Sequence, residues 1–143
     1  MNRLLPSLTA CALVATVVVA GPRISPLREG NISHSCQFSA NDATGLVVLQ
    51  LNDREAMIHL DGTLTRLSVK EIDCISRCVG PGKEGVRVFQ LIAPGVLATL
   101  TKSVTCAKDA EVCGGLPEGN AELRVSTESG ETAIRVWGEY CDM

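Results

Sequence analysis

Aromatic residues are nearly missing from this chain: Phe38, Phe89, Trp137 and Tyr140 are the whole set in 143 residues. Sugar-binding platforms and single-stranded nucleic-acid surfaces stack their ligands on such rings, so neither class is favoured. Histidine is scarcer still, with only His34 and His59. A hydrolase triad needs a histidine held between a serine and a carboxylate. His34 precedes the first strand pattern, His59 falls on the outward face of another, and no nucleophile-elbow pattern surrounds any serine. Both read as solvated surface residues. The loop acids Asp42, Asp53, Glu55, Asp61 and Asp73 show no spacing that singles out a catalytic pair. No catalytic residue is assigned, and the chain reads as a non-enzyme. Positive charge is in deficit as well, with 13 basic residues against 16 acidic. Phosphate backbones demand a basic face, so nucleic acid is excluded, whereas a basic protein partner suits the balance.

What is present at the N-terminus decides the compartment. Arg3 supplies a positive start, Leu4 to Ala20 carries no charge, and Val18-Val19-Ala20 places small residues just before Gly21-Pro22. That pattern is a secretory signal peptide spanning residues 1–20, too short and too clearly terminated for a membrane anchor. A second reading is a lipobox, Leu8-Thr9-Ala10-Cys11, which would make Cys11 a lipidated N-terminus and the protein an outer-membrane lipoprotein. The short apolar stretch before Cys11, interrupted by Pro6, favours simple cleavage and a periplasmic or secreted protein. Membrane association follows only if Cys11 is lipidated. Removing 20 of the 143 residues leaves 123, enough for one domain. Residues 21–33 hold two prolines and no apolar period and read as a leader; residues 34–143 read as the domain.

Six cysteines remain after cleavage: Cys36, Cys74, Cys78, Cys106, Cys113 and Cys141. In an exported chain an even number reads as three disulfides, for which fifteen pairings exist. The economical set is Cys74–Cys78, Cys106–Cys113 and Cys36–Cys141. On a loop-entropy argument the long clamp contributes about 4–5 kcal/mol and each short loop about 2–2.5. Zinc sites use closely spaced pairs such as C-x₂-C, unlike the C-x₃-C and C-x₆-C spacings here. Redox cysteines sit at helix N-termini, and helical periodicity is almost absent. Neither a metal nor another cofactor is expected.

The rest of the chain reads as short strands between turn signals. Strand patterns cover 35–38, 46–51, 55–60, 63–69, 86–91, 96–104, 121–126 and 132–137. Asp61-Gly62 is a two-residue hairpin signal because both positions tolerate positive φ. That turn puts Ala56, Ile58, Leu60, Leu67 and Val69 on one face, as core, and Met57, His59 and Arg66 on the other. The predicted fold is all-β, a single antiparallel eight-stranded meander closed into a small barrel or folded as a sandwich, stapled by about three disulfides. Gly80-Pro81-Gly82-Lys83-Glu84-Gly85 matches G-x-G-x-x-G, but a dinucleotide fingerprint needs a helix after it, and here a strand follows. The segment reads as an inter-strand loop.

A disulfide-pinned loop presents its residues at reduced entropic cost. Ile75, Ser76 and Arg77, between Cys74 and Cys78, together with Lys83 in the adjoining loop, are therefore the candidate partner-binding residues. The run Ala56-Met57-Ile58-His59-Leu60-Asp61-Gly62-Thr63-Leu64 into Leu67 is an apolar strand, a D-G turn and a second strand. Val86–Leu91 and Val96–Leu100 follow as a hairpin, and Cys36 and Cys141 are placed to tie the ends. In these features the chain resembles the bacterial membrane-bound and periplasmic inhibitors of c-type lysozyme, small exported β-barrels whose terminal regions are joined by a disulfide. Where that family carries a Ser-Gly-x-x-Tyr inhibitory segment, this chain has "CISRCVGPGKEG", and the family's later Tyr…Lys-Gly element is missing. The resemblance thus implies a barrel and a binding end but transfers no functional residue. The expected function is an exported protein that neutralises another protein, such as a lysozyme inhibitor or an immunity protein against a cell-wall-degrading enzyme. A structural or assembly module of the cell envelope is the alternative.

Overall fold

The structure, a computed structural model, describes residues 20–28, 32, 34–42, 44–75 (of 72–75 only the backbone), 84–105, 108–109, 116–139 and 141. Nine strands form: β1 (Ile24–Ser25), β2 (Cys36–Ala40), β3 (Val47–Leu51), β4 (Glu55–Leu60), β5 (Thr63–Ile75), β6 (Glu84–Ala93), β7 (Val96–Thr105), β8 (Gly119–Thr127) and β9 (Gly130–Gly138). From β2 to β9 each strand pairs antiparallel with the next, and β9 returns to β2 through Phe38↔Gly138 and Ala40↔Val136. The eight-stranded meander is therefore closed as a barrel, not a sandwich, which leaves β2–β9 without a free edge.

Alternation decides which side chains fill it. Phe38, Leu49, Ile58, Leu67, Phe89, Leu91, Leu100, Leu123 and Val136 lie in one buried cluster, each at most 2% exposed. Eight strands leave an interior just wide enough for side chains, and these fill it. Phe38 lies over its cross-strand partner Gly138, where a Cβ would come within 2.5 Å of the ring. A glycine is needed there because the ring occupies the place of a side chain.

The two barrel ends differ in kind. At one, the turn end, β4–β5, β6–β7 and β8–β9 are joined by Asp61-Gly62, Pro94-Gly95 and Glu128-Ser129. Asp61 and Gly62 have φ of 47° and 85°, as the D-G signal requires, and Gly95 has φ of 72°. At the other, the disulfide end, β2 begins, β9 finishes, and Cys36 is bonded to Cys141 across 105 residues. Leu116 and Cys141 form a further bridge there, with N–H···O distances of 2.8 and 3.1 Å.

Three expectations need adjustment. Of the three disulfides, Cys36–Cys141 forms; the side chain of Cys74, and Cys78, Cys106 and Cys113, lie outside the described residues. Strand β5 continues past Val69 to Ile75, so Cys74 and Ile75 belong to a strand, opposite Arg87 and Val86, and not to a loop. In the segment read as a leader, β1 pairs with Leu60 and His59 of β4, end to end with β3. The Arg23 N–H donates to Asp61 Oδ1 at 2.8 Å, and Thr132 Oγ1 donates to the Pro22 carbonyl at 2.7 Å. Ile32 is buried and its N–H donates to Gln50 Oε1 at 3.2 Å. Gln50 and its cross-strand partner Met57 lie outward yet are buried, because the N-terminal segment crosses this face.

Candidate functional site

Strands β5, β6 and β7, with 13, 10 and 10 residues, are the long ones, against 5 or 6 in β2, β3 and β4. Their ladders run on to Ile75↔Val86 and Glu84↔Thr105 at the disulfide end. The predicted binding segment joins β5 to β6. Of its residues, Ile75 is the last of β5 and is described by its backbone; Ser76, Arg77 and Lys83 lie outside the described residues. Glu84 and Gly85, the tail of the glycine-rich match, open β6, so a strand follows that motif as expected.

At this same end the interior changes from apolar to charged. Arg87 and Lys102 are cross-strand partners two residues beyond the core pair Phe89↔Leu100, and alternation turns both inward. Like charges placed opposite one another repel, and each is handled differently. Arg87 forks onto Glu71, with Nε–Oε1 at 2.7 Å and an Nη–Oε2 contact at 2.9 Å, and its guanidinium lies 5.2 Å from the centre of the Phe89 ring. Glu71 gets there by simple alternation: it shares the phase of Leu67 and Val69 and lies opposite Phe89, one diagonal step from Arg87, and the β5–β6 register shifts only beyond it. Lys102 meets no carboxylate among the described residues. It is 2% exposed, and Nζ donates to the carbonyls of Ser103 and Asn120, both at 3.3 Å. Burial pushes this amine below its ordinary value.

Neither Arg87 nor Lys102 was among the predicted site residues, although a signal existed. Arg87 shares the phase of Phe89 and Leu91, and Lys102 that of Ala98 and Leu100. A cation in phase with a core is the cue.

Of the residues considered for catalysis, the Asp73 side chain lies outside the described residues, and the others show no catalytic pairing among the described residues. His34 is exposed at φ 53°, just ahead of β2. His59 is only half-exposed, and its Nδ1 is shielded from solvent with no hydrogen-bond partner, so it is not a simply solvated ring. Asp42 accepts from Thr44 Oγ1 and the Thr44 N–H, which together hold its carboxyl below the usual range. Glu55 pairs with Arg66 at 2.9 Å, Asp53 lies 4.0 Å from Arg54, and Asp61 holds the Arg23 amide. Among the described residues no three His, Cys, Asp or Glu side chains come together to hold a metal. No protein-family model, curated protein or solved structure matches this chain.

Proposed function

We propose that this is an exported, non-enzymatic protein that binds and neutralises another protein, a lysozyme inhibitor or an immunity protein against a cell-wall-degrading enzyme, through the disulfide end of its barrel. The observation that carries the reading is the asymmetry of the fold. The interior is filled by side chains such as Phe38, Phe89 and Leu123, so recognition belongs at the surface. Long strands then lead to the disulfide end, where Cys36–Cys141 ties the start of β2 to the segment after β9. Such a rigid base lowers the ordering cost of whatever contact the β5–β6 connection makes. The acidic balance of −3 over the whole chain suits a basic enzyme as partner and would raise the rate of encounter with it.

Ile75, Ser76, Arg77 and Lys83 are the residues proposed to make the contact. In this reading the protein is periplasmic or secreted, with lipidation at Cys11 as the route to a membrane-held form. The test is a turbidity assay of cell-wall lysis by c-type lysozyme. Micromolar protein is expected to slow lysis, and an Arg77→Ala/Lys83→Ala variant to slow it less. Unchanged lysis with the native protein sinks the lysozyme version. Equal inhibition by the variant removes those two residues from the contact.

A further inference from the structure

On the outer wall, away from the disulfide end, β1 and the residues after it face β4 and β5 across a groove of about 540 Å³, lined by Arg23, Ser25, Pro26, Arg28, His59 and Leu64. That volume lies within the range of small-molecule sites. Its charge is unusual for this acidic chain. Arg54, Arg66, Arg87 and Arg124 each meet a carboxylate. Arg23 and Arg28 make no ion pair among the described residues, and of the other described arginines Arg135, alone at its own site, is the third without one. Asp61 is the nearby acid, but its contact is with the backbone amide of Arg23.

His59 adds a polar side chain to the lining. Its Nδ1 is shielded and has no partner, whereas Nε2 is neither shielded nor hydrogen-bonded. A proton on Nδ1 would be a buried donor without an acceptor, which is costly. Nε2, the unshielded nitrogen, is the ring atom open to a ligand. The groove thus combines two guanidinium groups that make no ion pair among the described residues, the His59 imidazole and the Ser25 hydroxyl with an apolar wall made by Pro26 and Leu64, the latter 41% exposed.

We propose that this groove binds a small organic oxyanion, a carboxylate or phosphate monoester carried on an apolar frame. Guanidinium groups match the two oxygens of such anions in a bidentate fork. The volume exceeds what a bare oxyanion fills, which leaves Leu64 and Pro26 to take the carbon frame. The site is separate from the disulfide end, so this inference does not depend on the neutralising role.

The experiment follows the His59 ring resonances by NMR in the mature full-length chain while phenyl phosphate, benzoate, inorganic phosphate or benzyl alcohol is added. Saturable shifts with phenyl phosphate or benzoate are expected, and the stronger of the two names the anion. Benzyl alcohol should give none, and inorganic phosphate should bind more weakly than phenyl phosphate. Arg23→Gln and Arg28→Gln should each weaken binding about tenfold or more, since a charge-assisted hydrogen bond is of that order. Both side chains are exposed, and an unchanged amide spectrum elsewhere confirms the fold. Arg135→Gln, at a different surface site, should leave binding unchanged. The proposal is overturned if no oxyanion gives a saturable shift, or if Arg135→Gln costs as much as the groove variants. Equal binding of inorganic and phenyl phosphate overturns the apolar frame.

Discussion

Lys102 occupies a place where the alternation of β7 calls for an aliphatic side chain, and burying its charge there is expected to cost stability. Two carbonyl acceptors at 3.3 Å satisfy some of its hydrogen-bonding capacity, but no described carboxylate offsets its charge. The sign of the pH effect follows from linkage. The unfolded amine titrates near 10.5, and burial lowers the folded value. Between the two, the unfolded chain binds more protons, so stability rises with pH across that window. Below the window the charge is carried in both states and the burial cost is felt in full. Lys102→Met is expected to stabilise the protein at neutral pH by about 1–4 kcal/mol, as when buried charges elsewhere are replaced by apolar side chains of similar size. It should also flatten the rise in stability at alkaline pH. Urea unfolding of both proteins at neutral and alkaline pH checks it, and a destabilised variant would mean that the amine holds the disulfide end together.

At the scale of elements, the hairpin at Asp61-Gly62 was legible because its signal is local: two residues at positive φ, flanked by clean alternation in Ala56, Ile58, Leu60 and Leu67. The eight barrel strands follow from the same alternation. The far half of β5 was not legible, since Lys70, Glu71 and Asp73 break the apolar period and the bulge after Glu71 reverses its phase. Nor was β1, whose two residues gain strand geometry only by pairing with β4. A strand that short is set by its neighbours. Asp61 links the two cases, because it both turns the hairpin and accepts the Arg23 amide. Asp61→Ala should therefore cost about 1–2 kcal/mol from an alanine in the left-handed region. It should also speed amide exchange at Arg23, while exchange across β6–β7 is speeded only by the global loss of stability. Unaltered exchange at Arg23 would show that the Thr132–Pro22 bond and the β1–β4 pairing hold the segment without the Asp61 carboxylate. The charged cluster of Glu71, Arg87 and Lys102 escaped sequence reading for a related reason: it is assembled from three strands, and only the register brings it together.

For the whole molecule, the Cys36–Cys141 bond is the one tie between the beginning of the barrel and the end of the chain that is covalent. It closes a loop of 105 residues, and on the chain-entropy model that is worth about 4–5 kcal/mol. The Cys36→Ala/Cys141→Ala variant is expected to lose about that much in chemical denaturation. Cys36 is 1% exposed but Cys141 is only partly buried, so a reductant reaches the bond from the Cys141 side. A loss well below that range would mean that closure of β9 on β2 already holds the ends together without the bond.

The start of the described chain has an orientation. Gly21 packs against the backbone of Glu131, at the beginning of β9, and Ile24 lies beside Leu60, so the described residues begin at the turn end. Anything tethering the protein through residues ahead of Gly21, a lipid on Cys11 included, would hold it by that end. The disulfide end would then point away from the surface to which the protein is attached, toward whatever approaches.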